Sequence, residues 1–219
     1  MNGTDFSKQV EVIVGQMKER INLAIGIAAD EKYTFGEGEK IFREVLAALE
    51  QYQCCDIAAD QLVNFSKVAC FRGEWRKALA LAEEAVEKAV SGKAKADANA
   101  NLHGMACLLL ENVLSLPVDA PEAALLAEIE QILTPDEYTG ALRKTAAAVR
   151  NADSEKRKRM VDFAHRLSME VLRQGIRQEK MGNKNAAEAL FRGALPFLNS
   201  KRAAVVQKEL EKLEAAENG

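Results

Sequence analysis

Residues Ala59–Ser91 read ADQLVNFSKVACFRGEWRKALALAEEAVEKAVS, and their spacing decides the fold. Leu62, Phe65, Ser66 and Ala69 fall on one side of a helix, because apolar and small residues recur there at i, i+3, i+4 and i+7. Arg72-Gly73-Glu74 is a polar turn, and Gly73 suits the left-handed residue that commonly closes a helix. Trp75, Ala78, Leu79, Ala82, Ala85 and Val86 then set the apolar face of a second helix. Two helices of a hairpin approach closely only where one presents Ala, Gly or Ser, since larger substituents hold the axes apart. Ser66 and Ala78 are therefore the expected close-approach positions, with Leu62, Phe65 and Trp75 filling the space beside them.

Spaced in this way, the stretch resembles one tetratricopeptide repeat (TPR), a helix-turn-helix unit of about 34 residues with the pattern W-x2-L-G-x2-Y…A-x3-F…P. Leu62, Phe65, Ser66, Ala69, Ala78 and Ala82 stand in those slots, with Ala85 one turn further. Ser168–Asn199 matches next best: Val171, Gly175 and Gln178 precede a Met181-Gly182-Asn183 turn, and Ala187, Phe191 and Ala194 follow it. The departures are specific. Neither unit has an aromatic residue in the tryptophan and tyrosine slots of the first helix, and the closing proline slot holds Val90 and Asn199.

Working outward, Thr4 and Asp5 can cap a first helix carrying Val10, Ile13, Val14, Met17, Ile21, Ala24, Ile25 and Ala28. A glycine-rich turn is expected at Tyr33–Gly38, with Gly36 in the role of Gly73. A second helix follows, with Ile41, Phe42, Val45, Leu46 and Leu49 inward. A third hairpin runs from Ala94 to Leu114 and from Pro121 to Leu133, with Gly104 at its small position. Thr134 caps the next helix with Glu137 three residues on, and Tyr138, Ala141, Leu142, Ala146 and Val149 give it a modest stripe. Ser154 opens one long helix to Lys180, the alternative being a break near Ser168. Ala29, Ser66, Gly104, Gly140 and Gly175 recur at intervals of 35 to 38 residues. The resemblance implies an all-α, right-handed α-solenoid of antiparallel hairpins, about nine or ten helices in one domain spanning 1–219. Its hairpins are expected at 5–53, 56–90, 94–133 and 168–198, with an irregular 134–181. A capping helix at 200–217 presents Val205, Val206, Leu210 and Leu213 inward.

Composition agrees with helices and narrows the function. Alanine is abundant, only 5% of the 219 residues are aromatic, and there are four prolines. The net charge is −3 and the pI about 5.6, so no overall basic field argues for nucleic acid or an acidic membrane. No apolar run reaches the roughly 18 residues of a membrane span. MNGTDFSKQ has no basic segment ahead of an apolar core and no glycine directly after Met1, so neither a secretory leader nor myristoylation is expected. Cys54, Cys55, Cys70 and Cys107 include no C-x-x-C, and adjacent cysteines do not ordinarily bridge. They read as thiols in a reducing, cytoplasmic compartment. With only His103 and His165 besides, no metal site and no cofactor is expected.

Function follows from the resemblance rather than from any catalytic motif. The chain lacks G-x-S-x-G, a phosphate-cradling glycine loop and H-E-x-x-H, so it is not read as an enzyme. In TPR-like arrays the first helices line a concave groove that receives a peptide or a partner helix, which implies a protein-binding adaptor. The positions that would face the groove are Asp60, Val63, Asn64 and Lys67, then Asn101 and Met105, then Arg173. Asn64 occupies a slot where chaperone-binding members hold a C-terminal carboxylate with an asparagine. Leu23, Gly26, Asp30, Ala98 and Leu102 stand where the basic partners of that clamp belong, so chaperone-tail binding is not implied. The alternative reading is a regulatory helical domain touching nucleic acid or a phosphorylated ligand through Lys156, Arg157, Lys158 and Arg159. No aromatic residues interleave with that run, which weakens specific nucleic-acid recognition. Self-assembly into a homo-oligomer is a third, structural reading.

Overall fold

The turn at Gly73 forms as its sequence requires: Gly73 adopts φ +76° and Glu74 N–H donates to the Ala69 carbonyl at 2.9 Å. In this computed structural model the described residues are 3–116, 120–151 and 154–215, with side chains described except at 3–14, 154–156, 158 and 159. Among them are ten α-helices and no strand: α1 (Gly3–Ala29), α2 (Phe35–Gln51), α3 (Cys55–Phe71), α4 (Trp75–Lys88), α5 (Gly92–Ser115), α6 (Leu126–Ile132), α7 (Pro135–Asn151), α8 (Ser154–Lys180), α9 (Lys184–Ala194) and α10 (Ser200–Ala215). Short 3₁₀ turns precede α6 at Pro121–Leu125 and follow α9 at Leu195–Phe197. The fold is all-α, and α8 runs unbroken through Ser168. The chain divides into two compact units, Met1–Ala106 and Cys107–Gly219.

In the first unit α1, α2 and α3 pack on one another and α4 lies along α3. Leu62, Phe65, Ser66 and Ala69 of α3 are buried against Ala78, Leu79, Ala82 and Ala85 of α4, the small-residue approach that the spacing predicts. Trp75 and Val86 are only half-buried. Phe65 stacks on Phe42 of α2, ring centroids 4.1 Å apart and planes 2° from parallel, and Phe35 meets it at 5.2 Å. The expected Tyr33–Gly38 turn is shorter than its glycines suggest. The Thr34 N–H and hydroxyl both donate to the Glu37 carboxylate, at 2.7 and 2.9 Å, so α2 starts at Phe35. Gly36 therefore sits inside a helix and does not share the role of Gly73. Gly38 makes the close approach instead: a Cβ there would lie 2.6 Å from the Ala24 carbonyl and from Ala28. The expected Thr4 and Asp5 cap, and Val10, Ile13 and Val14, lie outside the described side chains.

In the second unit α7 packs against both α8 and α9, and α9 against α10. Thr134 and Glu137 form the expected reciprocal cap of α7. Gly182 closes the α8–α9 turn at φ +81°, and Ala187, Leu190, Phe191 and Ala194 are buried beneath α8. Gly175 is the contact point, since a Cβ there would stand 2.5 Å from the Phe191 ring. Val206, Leu210 and Leu213 of α10 are buried, whereas Val205 is exposed. The proposed period of small residues does not hold throughout. Gly104 is exposed, and neither it nor Gly140 has an atom within 4 Å of its missing Cβ. On α5 the buried face is Ala98, Met105, Ala106, Leu109 and Leu110, which rotates Gly104 away.

Candidate functional site

The residues singled out from sequence fall into two groups, one in each unit. In the first, Ser66 is fully buried and donates to the Val63 carbonyl at 2.8 Å, while Asn101 Nδ2 of α5 donates to Ser66 Oγ at 3.2 Å. The small residue that lets α4 approach α3 thus also anchors α5. Asn64 is half-buried, Lys67 is exposed and Met105 is 5% exposed. Met105 is accordingly part of the core, and Asn101 is committed to Ser66.

Beside this contact, Asp56, Asp60 and Val63 of α3 and Lys93, Ala94 and Asp97 of α5 line a cleft of about 290 Å³. Asp56 Oδ1 accepts the Val90 and Ser91 N–H groups at 2.8 and 3.0 Å. The Ser91 hydroxyl and then these two N–H groups hold its carboxyl below the ordinary 3.8. Asp60 accepts from the neighbouring Gln61 amide and keeps an exposed position. Three carboxylates against Lys93 make the cleft acidic. Sequence reasoning found Asp60 and Val63 but missed Asp56, Lys93 and Asp97, because their convergence depends on how α5 starts after Ser91.

Arg173 lies in the second unit, in a charged cluster on α6 and α8. Its guanidinium pairs with Glu130 and with Glu170, the latter through Nε at 3.1 Å and Nη2 at 2.9 Å. Gln174 Nε2 donates to Glu170 Oε1 at 2.9 Å, and Arg177 stands 4.0 Å from Glu130. Burial pushes the Glu170 carboxyl above its usual range, and burial together with Arg177 lowers the Arg173 guanidinium. Arg173 is thus engaged within its own unit. A signal for the cluster existed: Glu170 and Gln174 occupy slots of the apolar stripe marked by Leu167 and Val171.

Of the basic run, Arg157 is exposed and its Nε donates to the Val149 carbonyl at 3.3 Å. The side chains of Lys156, Lys158 and Arg159 lie outside the described residues. The four cysteines are free and half-buried. Among the described residues no three His, Cys, Asp or Glu side chains group as metal ligands, and no helix is long and apolar enough to cross a membrane. No family model, curated protein or solved structure matches the chain.

Proposed function

We propose that the protein is a TPR-like adaptor whose helical hairpins stack as a right-handed α-solenoid and whose first-helix face binds a peptide or partner helix. The observation that carries this is the acidic α3–α5 cleft beside the Ser66–Asn101 contact. Supporting it, α3–α4 and α8–α9 share a glycine turn with positive φ and a small residue on the first helix, Ser66 buried in one and Gly175 set against the Phe191 ring in the other. Asp60, Asp97 and Asp56 outnumber the two lysines beside them, Lys93 in the lining and Lys95 acting on Asp56, which favours a partner segment bearing Lys or Arg, with Val63 offering an apolar contact between charges.

The test is binding of an immobilised peptide library, positions randomised, by the intact chain and by an Asp60→Lys, Asp97→Lys variant. Selection of basic segments by the wild type, lost about tenfold or more in a variant of unchanged helicity, is the expected outcome. Equal binding of the same peptides by both proteins would place recognition elsewhere.

A further inference from the structure

Helix α7 carries its outward charge in an ordered stripe. Asp136, Arg143 and Arg150 stand seven residues apart and are all exposed, so they keep to one side of the helix, about 10 Å from one to the next. Thr139, Leu142, Ala146 and Val149 run beside them at intervals of three, four and three. That is the seam of a heptad, and the charged stripe is the flanking position that sets partner choice in paired helices. The three charged residues, with Thr139, Leu142 and Ala146, form one wall of a groove of about 590 Å³; Ala189 and Arg192 of α9, with Phe197 beyond, line the other. Phe197 and Pro196 carry the apolar floor on into a neighbouring hollow beside Val149 and Val161, the latter 49% exposed.

The charges on both walls indicate what would suit the groove. Arg192 is already engaged, with Glu188 at 2.7 Å and with Glu214 of α10 at 2.5 Å. The side chains of Arg143 and Arg150, by contrast, make no ion pair among the described residues. Asp136 is the acid of the lining, and it lies at the far end of the stripe, about 20 Å along the axis from Arg150. The helix dipole accounts for Asp136 in the first turn and Arg150 in the last, but not for Arg143 in the middle. Two unpaired guanidiniums beside apolar surface call for carboxylates on an apolar body. Glu214 already provides an example, a helix-borne carboxylate set against the α9 wall. The spacing selects a helix over an extended segment. Seven residues of a helix laid along α7 advance the same 10 Å or so and return to the same face. An extended chain covers that distance in about three residues, which turns the second acid to the opposite face.

We propose that the α7–α9 groove binds an amphipathic helix of a partner protein, with two acidic residues seven apart meeting Arg143 and Arg150 and a basic residue meeting Asp136. This surface lies wholly in the second unit and prefers the opposite charge from the α3–α5 cleft, so either reading can fail without the other. Three synthetic peptides of about 20 residues, titrated against the intact chain by fluorescence anisotropy, test it. One carries a leucine and alanine seam flanked by Lys, Glu and Glu at seven-residue intervals, the second has those signs reversed, and the third is the first interrupted by a central proline. The acidic helix is expected to bind saturably below about 100 μM, and Arg143→Gln, Arg150→Gln to weaken it at least fivefold. Lys18→Gln, Lys40→Gln, exposed in the first unit, makes the same change in net charge and leaves the affinity as it was. Arg143→Glu, Arg150→Glu should bind the sign-reversed helix more tightly than the wild type does. No saturation by the acidic helix up to about 1 mM, or equal weakening by the two glutamine variants, overturns the assignment. Equal affinity for the proline-interrupted peptide overturns it too, since an extended segment would then serve as well.

Discussion

Gly175 and Ser66 show how one position type is solved twice. Ser66 is fully buried on α3, which packs along α4, and its hydroxyl accepts from Asn101. Gly175 has no side chain because the opposite helix supplies Phe191, whose ring occupies the space a Cβ would need, at 2.5 and 2.7 Å. A closely packed ring cannot retreat freely. Gly175→Ala is therefore expected to destabilise by about 1–3 kcal/mol, read as a lower urea midpoint at unchanged slope. Adding Phe191→Leu should return part of that loss, and a double-mutant cycle in which the two changes are simply additive would deny the contact. The glycine was legible in sequence as a small slot. Gly104 was misread because one residue of displacement along a helix is about 100° of rotation. Only the packed partner reveals which neighbour points inward.

At the scale of elements, burial outweighs surface charge in joining the helices of the first unit. Three ion pairs link α2 to α4: Arg43–Glu84 at 2.6 Å, Lys77–Glu39 at 3.2 Å and Lys88–Glu50 at 2.7 Å. Their side chains are substantially exposed, and such pairs contribute about 0–1 kcal/mol each, less at high salt. Phe65 is fully buried and stacked on Phe42, and Phe65→Ala should cost about 3–5 kcal/mol. Chemical denaturation of Phe65→Ala beside the Arg43→Ala, Glu84→Ala double variant checks the ranking, and a larger loss in the double variant would reverse it.

The join between α4 and α5 behaves differently, since Asp56 holds it through backbone N–H groups. Its folded pKa is depressed below 3.8, so its stabilisation is complete above the unfolded value and vanishes as pH falls through the folded one. The stability gap between wild type and Asp56→Asn should accordingly be constant above about pH 5 and close below 3.8. A gap that persists unchanged into strong acid would mean that the carboxylate charge is immaterial. Periodicity made these helices legible because a buried face repeats every turn. It could not show Asp56 reaching Val90 and Ser91, a contact between residues far apart in sequence that depends on the hairpin already being closed.

The molecule as a whole was legible as helical hairpins, since capping residues, glycine turns and apolar stripes are local. Arg173 reads from sequence as a groove residue, yet the Glu130–Arg173–Glu170 cluster comes from α6 and α8 converging, which local pattern does not encode. The division into Met1–Ala106 and Cys107–Gly219 likewise has no marker in the sequence, because α5 runs from Gly92 to Ser115 without a break. It leads to a prediction about cooperativity. A mutation in one core should lower protection chiefly among the amides that share that core, because local and sub-global opening follow contiguous packed units. Amide exchange read by mass spectrometry on Phe65→Ala should show accelerated exchange across α1 to α4, with α7 to α9 close to wild type. Gly175→Ala should show the converse. In a stack where each hairpin supports only its neighbours, stability is a sum of local terms and such separation is natural. Equal loss of protection along the whole chain in both variants would instead describe one all-or-none domain, and the proposed stacking of hairpins would lose its support.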